Sequence, residues 1–477
     1  MRTTALAFLL AGLTLFVGAA TVSRPQTAAR RQVYLAYEEA RPILETLREV
    51  LPKELQTQSP ADLQNLWPKW VAGRDAEIRA RLLQGDEDSL VNLLLFGTSY
   101  TPKPRITLKA LAGSRQNPAS REAALFVEAI RARAGDLVQG IAAPGSNERL
   151  LFARRVIETK GYDVKSVAAR ERVKQYLLDS LARVLSEQAG NARILESARR
   201  MGDASEEFAE RSKLFRNRGL SSDTSLMPNF ALERAMDSLK TSGVLAAQSV
   251  RRVAIVGPGL DFTDKQDGFD FYAQQTIQPF AVIDSLLRLG LARPNDLRLV
   301  TLDLSPRIND HLTRARARAA KGAAYVVQLP RDEQWQPELM AYWSKFGDQI
   351  GSPVAPVTPP AGLGDLKVRA VSIRPAFVSL LRSEDVNIVL QHLNVAPAEA
   401  FDLIIATNIL VYYDTFEQSL AMANIERMLR PGGLLLSNNA LLELPFSKMR
   451  SAGYVSVAYS GRDADGDHIV WYQRQAP

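Results

Sequence analysis

The chain has 477 residues, 46% of them hydrophobic and 23% charged, with 28 glycines and 25 prolines; this excludes a collagen-like, low-complexity or globally disordered protein. Cysteine is absent, and the three histidines His311, His392 and His468 show no paired spacing, so disulfides, thiolate metal centres and a cysteine nucleophile are ruled out and no metal site is expected. Lys and Arg number 59 against 52 Asp and Glu, a net charge of +7, an excess too small for this length to point to nucleic acid.

At roughly 100–200 residues per domain, two to four domains are expected. Residues 1–20 read MRTTALAFLLAGLTLFVGAA, with Arg2 ahead of an uncharged run and small residues at Gly18, Ala19 and Ala20. This is the pattern of a secretory signal peptide. The uncharged stretch over 5–22 also just reaches spanning length, so an uncleaved anchor that holds the protein at a membrane is the alternative. An exported or membrane-anchored location follows from either, with the cytoplasmic side left open.

From about residue 30 to 245 the pattern is helical. VYLAYEEARPILETLREVL from Val33, ARERVKQYLLDSLARVLSEQ from Ala169 and NFALERAMDSLKTSGVL from Asn229 repeat apolar residues at three- and four-residue spacing. Ser59 before Pro60 is a helix N-cap with proline at the first helical position. Trp67 and Trp70 share a helix face and are expected to pack in a core. The run from Leu90 reaches Gly97 and then Thr98, Ser99, Tyr100 and two prolines, read as a helix end followed by a connection.

The grammar changes at residue 250. RRVAIVGPG, LRLVTLDLS, VNIVLQHL, FDLIIATNILVYY and LLLSNN alternate with helical stretches, which predicts a Rossmann-like α/β domain over 250–477. VSVAYS and HIVWYQR, joined by a short Asp- and Gly-rich turn, must be antiparallel. In such sheets ligands bind outside the carboxyl ends of the strands. Gly257 and Gly259 follow the first strand and permit a tight turn; Asp261 lies just beyond. Asp303 ends the second strand, where an acidic side chain accepts hydrogen bonds from ribose hydroxyls; alone, it reads equally as a helix cap. Asn408 and Tyr412 follow the fourth strand and bring an amide and an aromatic hydroxyl to the mouth of the sheet.

The segment FDLIIATNILVYYDTFEQSLAMANIERMLRPGGLLLSNN (401–439) resembles the chemotaxis-receptor glutamate methyltransferases, within the class I S-adenosylmethionine-dependent methyltransferases. Asn408, Tyr412, Asp414 and Gln418 are in register with that family's motif. The stretch 275–287 is similar to the motif after its glycine turn, with Gln278 where the family has an acidic residue. The resemblance implies S-adenosylmethionine as cofactor, held by Gly257, Gly259, Asp261, Gln278, Asp303, Asn394 and Asn408, with Asn408 and Tyr412 at the reacting centre. It implies an inserted subdomain over 325–385 and a protein carboxylate as methyl acceptor. A non-catalytic exported protein, with the fold as a binding scaffold, is the second reading.

Overall fold

The computed structural model describes residues 32–107, 113, 119–201, 219–221, 224–262, 268–331, 334–363, 366–438, 440–461 and 465–476. The signal or anchor expected over 1–20 lies outside them. Among the described residues no helix is long and apolar enough to cross a membrane.

The α/β fold is as expected. Seven strands form one sheet: β2 (Arg252–Val256), β3 (Arg298–Asp303), β7 (Leu381–Asp385), β9 (Phe401–Ala406), β10 (Leu429–Ser437), β11 (Met449–Ala458) and β12 (Gly466–Arg474). Their order is β11-β12-β10-β9-β2-β3-β7. β7, β3, β2, β9 and β10 are parallel, while β12 runs antiparallel to β10 and to β11. The chain begins in the middle, at β2, builds outward through β3 and β7, then returns to β9. The strand order therefore reverses between β2 and β9, which opens a crevice above their carboxyl ends.

Strand residues alternate between the faces, as a period of two requires. Val253, Ile255, Leu299, Leu403, Ile405, Leu434 and Leu436 join one core. That core also holds α6 (Met227–Thr241), α7 (Gln278–Arg288) and α8 (Pro306–Ala319). Ala254, Val256, Val300, Leu302, Ile404, Ala406 and Leu435 join the other. There they meet α1 (Tyr37–Thr46), α2 (Pro60–Phe96) and α10 (Thr415–Met428). The short strand β1 (Gln32–Tyr34) pairs antiparallel with β8 (Gln391–Leu393).

A boundary near 245–250 is therefore not a break in the core. Ile43, Leu63, Trp67, Val71 and Ile78 cover the second face of the sheet, and α6 covers part of the first. α3 (Arg121–Ala142), α4 (Glu148–Thr159), α5 (Val167–Met201) and the end of α2 form a third core, which also takes in Phe262 from the loop after β2. A fragment spanning 245–477 is expected to express as aggregate, because it bares the face that α1 and α2 cover; recovery of a soluble fragment with the cooperative melt of a folded domain would contradict this.

Between α8 and β7 the chain forms a separate three-stranded sheet, β4-β6-β5, from β4 (Tyr325–Arg331), β5 (Gly351–Val354) and β6 (Lys367–Ile373), crossed by α9 (Pro337–Lys345). The insertion expected over 325–385 ends earlier than that, because Leu381–Asp385 belongs to the main sheet.

α2 has 37 residues, about 55 Å at 1.5 Å per residue. Ser59 caps it through Asp62 N–H, and Pro60 occupies its first turn. Trp67 donates to Leu35 O at 2.8 Å and stacks on Trp70. Three arginines then lace the helix across the carboxyl edge of the sheet. Arg74 pairs with the buried Glu417 at 2.7 Å, Arg79 with Asp385 at 2.9 Å, and Arg81 donates to Tyr412 O at 3.0 Å.

Candidate cofactor cleft at the strand reversal

A cleft of about 720 Å³ lies where the strand order reverses, within the range typical of small-molecule sites, ~300–1,000 Å³. It is bounded by the loops after β2, β3, β9 and β10, by β12, and by the middle of α2.

The loop after β2 supplies Gly257 and Gly259, with φ of +64° and +67°. A Cβ at Gly257 would lie 2.2 Å from Ile409 Cδ1. Both the left-handed conformation and the close approach of the neighbouring loop thus require glycine here. Asp303 ends β3 and is buried, with 7% of its surface exposed. Its Oδ1 accepts from Ser305 N–H at 2.8 Å. Ser305, not Asp303, stands at the N-cap of α8. Burial pushes the Asp303 carboxyl up to about 7, against the Ser305 N–H bond and the nearby Arg307 charge.

Gln278 is the first residue of α7 and is buried against the cleft; its amide donates to Thr407 Oγ1 at 2.9 Å. Asn408 has φ +58°, a conformation asparagine tolerates better than most residues. Its N–H donates to Asn438 Oδ1 at 2.8 Å, and Asn438 Nδ2 donates back to Asn408 Oδ1. The two amides clasp the ends of β9 and β10. Tyr412 sits in a turn at Leu410–Tyr412 and lines the cleft. Gln418 holds that turn from below, donating to Leu410 O at 2.9 Å and Tyr413 O at 3.0 Å. Asp414 caps α10 reciprocally with Glu417. The acid and the glutamine of the motif thus shape the loop, while Asn408 and Tyr412 face the cleft.

Six of the expected site residues, Gly257, Gly259, Gln278, Asp303, Asn408 and Tyr412, line this one cleft. Two do not. Asp261 turns inward instead: its buried carboxyl accepts from Tyr272 OH at 2.6 Å and Gln275 Nε2 at 2.9 Å, and burial raises it to about 6 despite the charge of Arg149. Asn394 is exposed just past β8, which pairs with β1 rather than the main sheet, so it lies away from the cleft.

The sequence reading missed Thr407 and Asn438, although Asn438 obeys the strand-end rule. It also missed one wall of the cleft, built by Gly85, Asp88, Ser89 and Asn92 of α2, and the residues Asp467 and His468 of β12. The only available signal was the polar run GDEDS just ahead of the apolar end of the helix. Gly85 is there because a Cβ would fall 1.9 Å from Leu220 O, where the chain around 219–221 crosses α2 and Leu220 N–H bonds Arg81 O at 3.1 Å.

No protein-family model matches the chain, and no curated protein matches it in sequence. Solved structures that match include the N-methyltransferase NodS from Bradyrhizobium japonicum WM9, at 14% identity over 51% of this chain and 97% of NodS, with a TM-score of 0.24. TrmN from Thermus thermophilus matches at 13% identity over 52% of each chain, TM-score 0.24. The CurJ carbon methyltransferase matches at 13% identity over 87% of this chain and 98% of its own, TM-score 0.25. Likeness at these scores adds nothing to what the strand order establishes.

The residues of the cleft fit a nucleoside cofactor. Two glycines in the left-handed region shape the turn that borders the cleft. A buried carboxyl, with Ser305 N–H on one oxygen, ends the second strand at the cleft. Among the described lining residues the acidic side chains are Asp88, Asp303 and Asp467; Asp88 is paired with Arg183 at 2.8 Å, and the Arg307 charge lies near Asp303.

Proposed function

We propose that the chain is an S-adenosylmethionine-dependent methyltransferase. The observation that carries this is the Gly257–Gly259 turn beside the buried Asp303, in the cleft at the strand reversal. Asp303 suits the ribose hydroxyls, Gly257 and Gly259 the methionine part, and Gln278 and Asn408 the region around the sulfonium. A dinucleotide suits the cleft poorly. Its diphosphate needs a helix N-terminus directly after the glycine turn, whereas α7 begins only at Gln278 and no basic side chain is among the described lining residues.

The bound cofactor would supply a methyl group on a sulfonium, whose in-line transfer depends on alignment. The chain's own contribution is to fix the mouth of the cleft. The Asn408–Asn438 clasp and the Gln418 bonds hold the loop that carries Tyr412, and α2 walls one side of the cleft. The similarity of 401–439 to the chemotaxis-receptor family supports the same reading. The carboxylate acceptor it implies meets no basic partner among the described lining residues.

The test is calorimetric titration of the full chain with S-adenosylmethionine, S-adenosylhomocysteine and NAD. The first two are expected to bind and NAD to give no heat. Binding of NAD alone would make the protein a dinucleotide enzyme. Binding of none would favour a non-catalytic scaffold, the reading that an exported address, if residues 1–20 supply one, would support.

A further inference from the structure

The three-stranded insertion carries a tract that the cleft does not use. Residues 355–366 join β5 to β6, which pair antiparallel. An ordinary hairpin takes about 2–5 residues, and connections of about a dozen without an element of their own are mostly functional or linker segments. The stretch 352–361 reads SPVAPVTPPA. Pro353, Pro356, Pro359 and Pro360 are four of the chain's 25 prolines, where an even spread would put fewer than one in eight residues. Residues 349–364 carry no charge.

Proline fixes the shape of this tract. Each proline holds φ near about −65°, and Ser352, Ala355, Thr358 and Pro359, each standing before a proline, are kept extended. No described residue from 351 to 361 has a positive φ; Gly362, at +96°, then turns the chain away. Neither helix nor turn interrupts 355–360. These are the constraints of polyproline II, which repeats every three residues and rises about 3.1 Å for each. That period sets Pro356 and Pro359 along one edge and Val357 and Pro360 along the next, with Pro353 and Val354 of β5 leading into them. Residues 352–358 are all exposed, Val354 at 39% and Val357 at 41%. Among the described residues no backbone donor reaches the carbonyls of 355–359. The ridge is nevertheless pinned. Val357 N–H donates to Gln328 Oε1 at 3.1 Å. Gln328 is buried on β4 and exchanges bonds with Gln275, its N–H to Gln275 Oε1 at 2.7 Å and its carbonyl from Gln275 Nε2 at 2.8 Å. A segment already held in one conformation loses little entropy when a partner takes it.

We infer that the ridge 353–360 docks a protein partner through an aromatic-lined groove. Rings of such a groove pack between successive edges of a polyproline II helix, and their polar tips donate to its carbonyls. The other modes of docking fit poorly. The prolines have no N–H and that of Val357 is already taken, so the tract cannot extend the sheet of a partner or of a second copy. The absence of charge over 349–364 leaves nothing there for a nucleic acid or an anionic lipid to recognise. None of the residues 351–363 lines the cofactor cleft, so this surface stands or falls apart from the methyltransferase reading.

The test titrates the full chain into two isotope-labelled probes with aromatic grooves, an SH3 domain and a WW domain, and follows their amide shifts. At least one is expected to bind one-to-one, with the shifts confined to its groove and the affinity the same at low and high salt. The peptide PVAPVTPPA should displace the chain from that probe. The double variant Pro356→Ala, Pro359→Ala is expected to weaken binding about tenfold with the melting temperature unchanged. A tract that only covers the small sheet predicts otherwise: no binding of either probe, or a lowered melting temperature in the variant with binding intact. Either result overturns the inference, as do shifts outside the groove, affinity that fades with salt, and failure of the peptide to compete. The competition is read on the unaltered protein, so it decides the matter even if the double variant does not fold.

Discussion

Asp303→Asn is expected to weaken S-adenosylhomocysteine binding about tenfold at pH 8 and, in the same protein, to raise the melting temperature. The two effects have one origin. Asp303 is buried at the end of β3 with Ser305 N–H on one oxygen, and burial lifts its carboxyl to about 7. An unfolded aspartate titrates near ~3.9. Between those values the folded chain keeps a proton that the unfolded chain has lost, so this group's contribution to stability falls as pH rises from about 4 to about 7. Above 7 the ligand-free protein carries a penalty on the order of 2–4 kcal/mol, which asparagine removes. The stabilisation should shrink towards zero by pH 4, where both side chains are neutral. Ligand binding follows the opposite logic. If Asp303 holds the ribose as proposed, its ionised carboxylate accepts the hydroxyls better than the neutral acid, so wild-type affinity should rise as pH passes through 7 and level off above it. Charge-assisted bonds contribute about 1.5–3 kcal/mol, so Asp303→Ala should cost tenfold to a hundredfold in affinity at pH 8. Asparagine should cost less than alanine, because its amide oxygen still accepts. A lowered melting temperature with unchanged affinity would make Asp303 a structural residue of the turn into α8.

The largest loss of stability is expected for Arg149→Met. Arg149 is 2% exposed on α4. Its guanidinium donates to Tyr272 O, to Asp261 O at 3.1 Å and to Phe269 O at 3.3 Å, and lies near the rings of Phe262 and Tyr272. It is also the cation beside the buried Asp261 carboxyl. Methionine fills the space but leaves the carbonyls without their donor and the carboxyl without its counter-charge. Breaking a buried pair in this way costs roughly 3–5 kcal/mol. Without Arg149, Asp261 should titrate still higher than about 6, so the loss should be larger at pH 8 than at pH 5. Urea midpoints at the two pH values test this; a loss below about 1 kcal/mol, equal at both, would mean the network does not depend on the arginine. Asp270 accepts from Thr98 N–H, Thr98 Oγ1–H and Ser99 N–H. The tract after α2 thus grips the same stretch, and the helical bundle bears on the segment that follows the glycine turn.

Much of the sheet was legible because its central strands are apolar runs that end in recognisable turns. β2, β9 and β10 are buried along most of their length, and Gly257, Asp303 and Asn408 stand where their strands end. β7 was not legible: Leu381–Asp385 reads LRSED, and as an edge strand with one neighbour it needs little apolar surface. VNIVLQHL attracted attention in its place, though only Gln391–Leu393 of it is strand, and that pairs with β1. The helical periodicity of α1 and α2 announced a buried face without saying what would bury it. A separate domain and a cover for the sheet look alike in sequence. Asp261 and Asn394 failed as cleft residues for a related reason, since proximity to a strand end does not fix which way the chain turns next.

One wall of the cleft is part of a rod. Within α2, Ile78 is anchored to the sheet face and Leu90 to the bundle, while Gly85, Asp88, Ser89 and Asn92 face the cleft between and beyond them. Each residue of an α-helix advances about 1.5 Å and turns about 100°. Adding or deleting a single residue between Ile78 and Leu90 would swing the whole bundle about the helix axis and carry the cleft-lining side chains off their mark. Isolated substitutions at solvent-facing positions of the same stretch leave that phase intact. Here the fold constrains the count of residues more tightly than their identity, the reverse of what holds in an ordinary connecting loop.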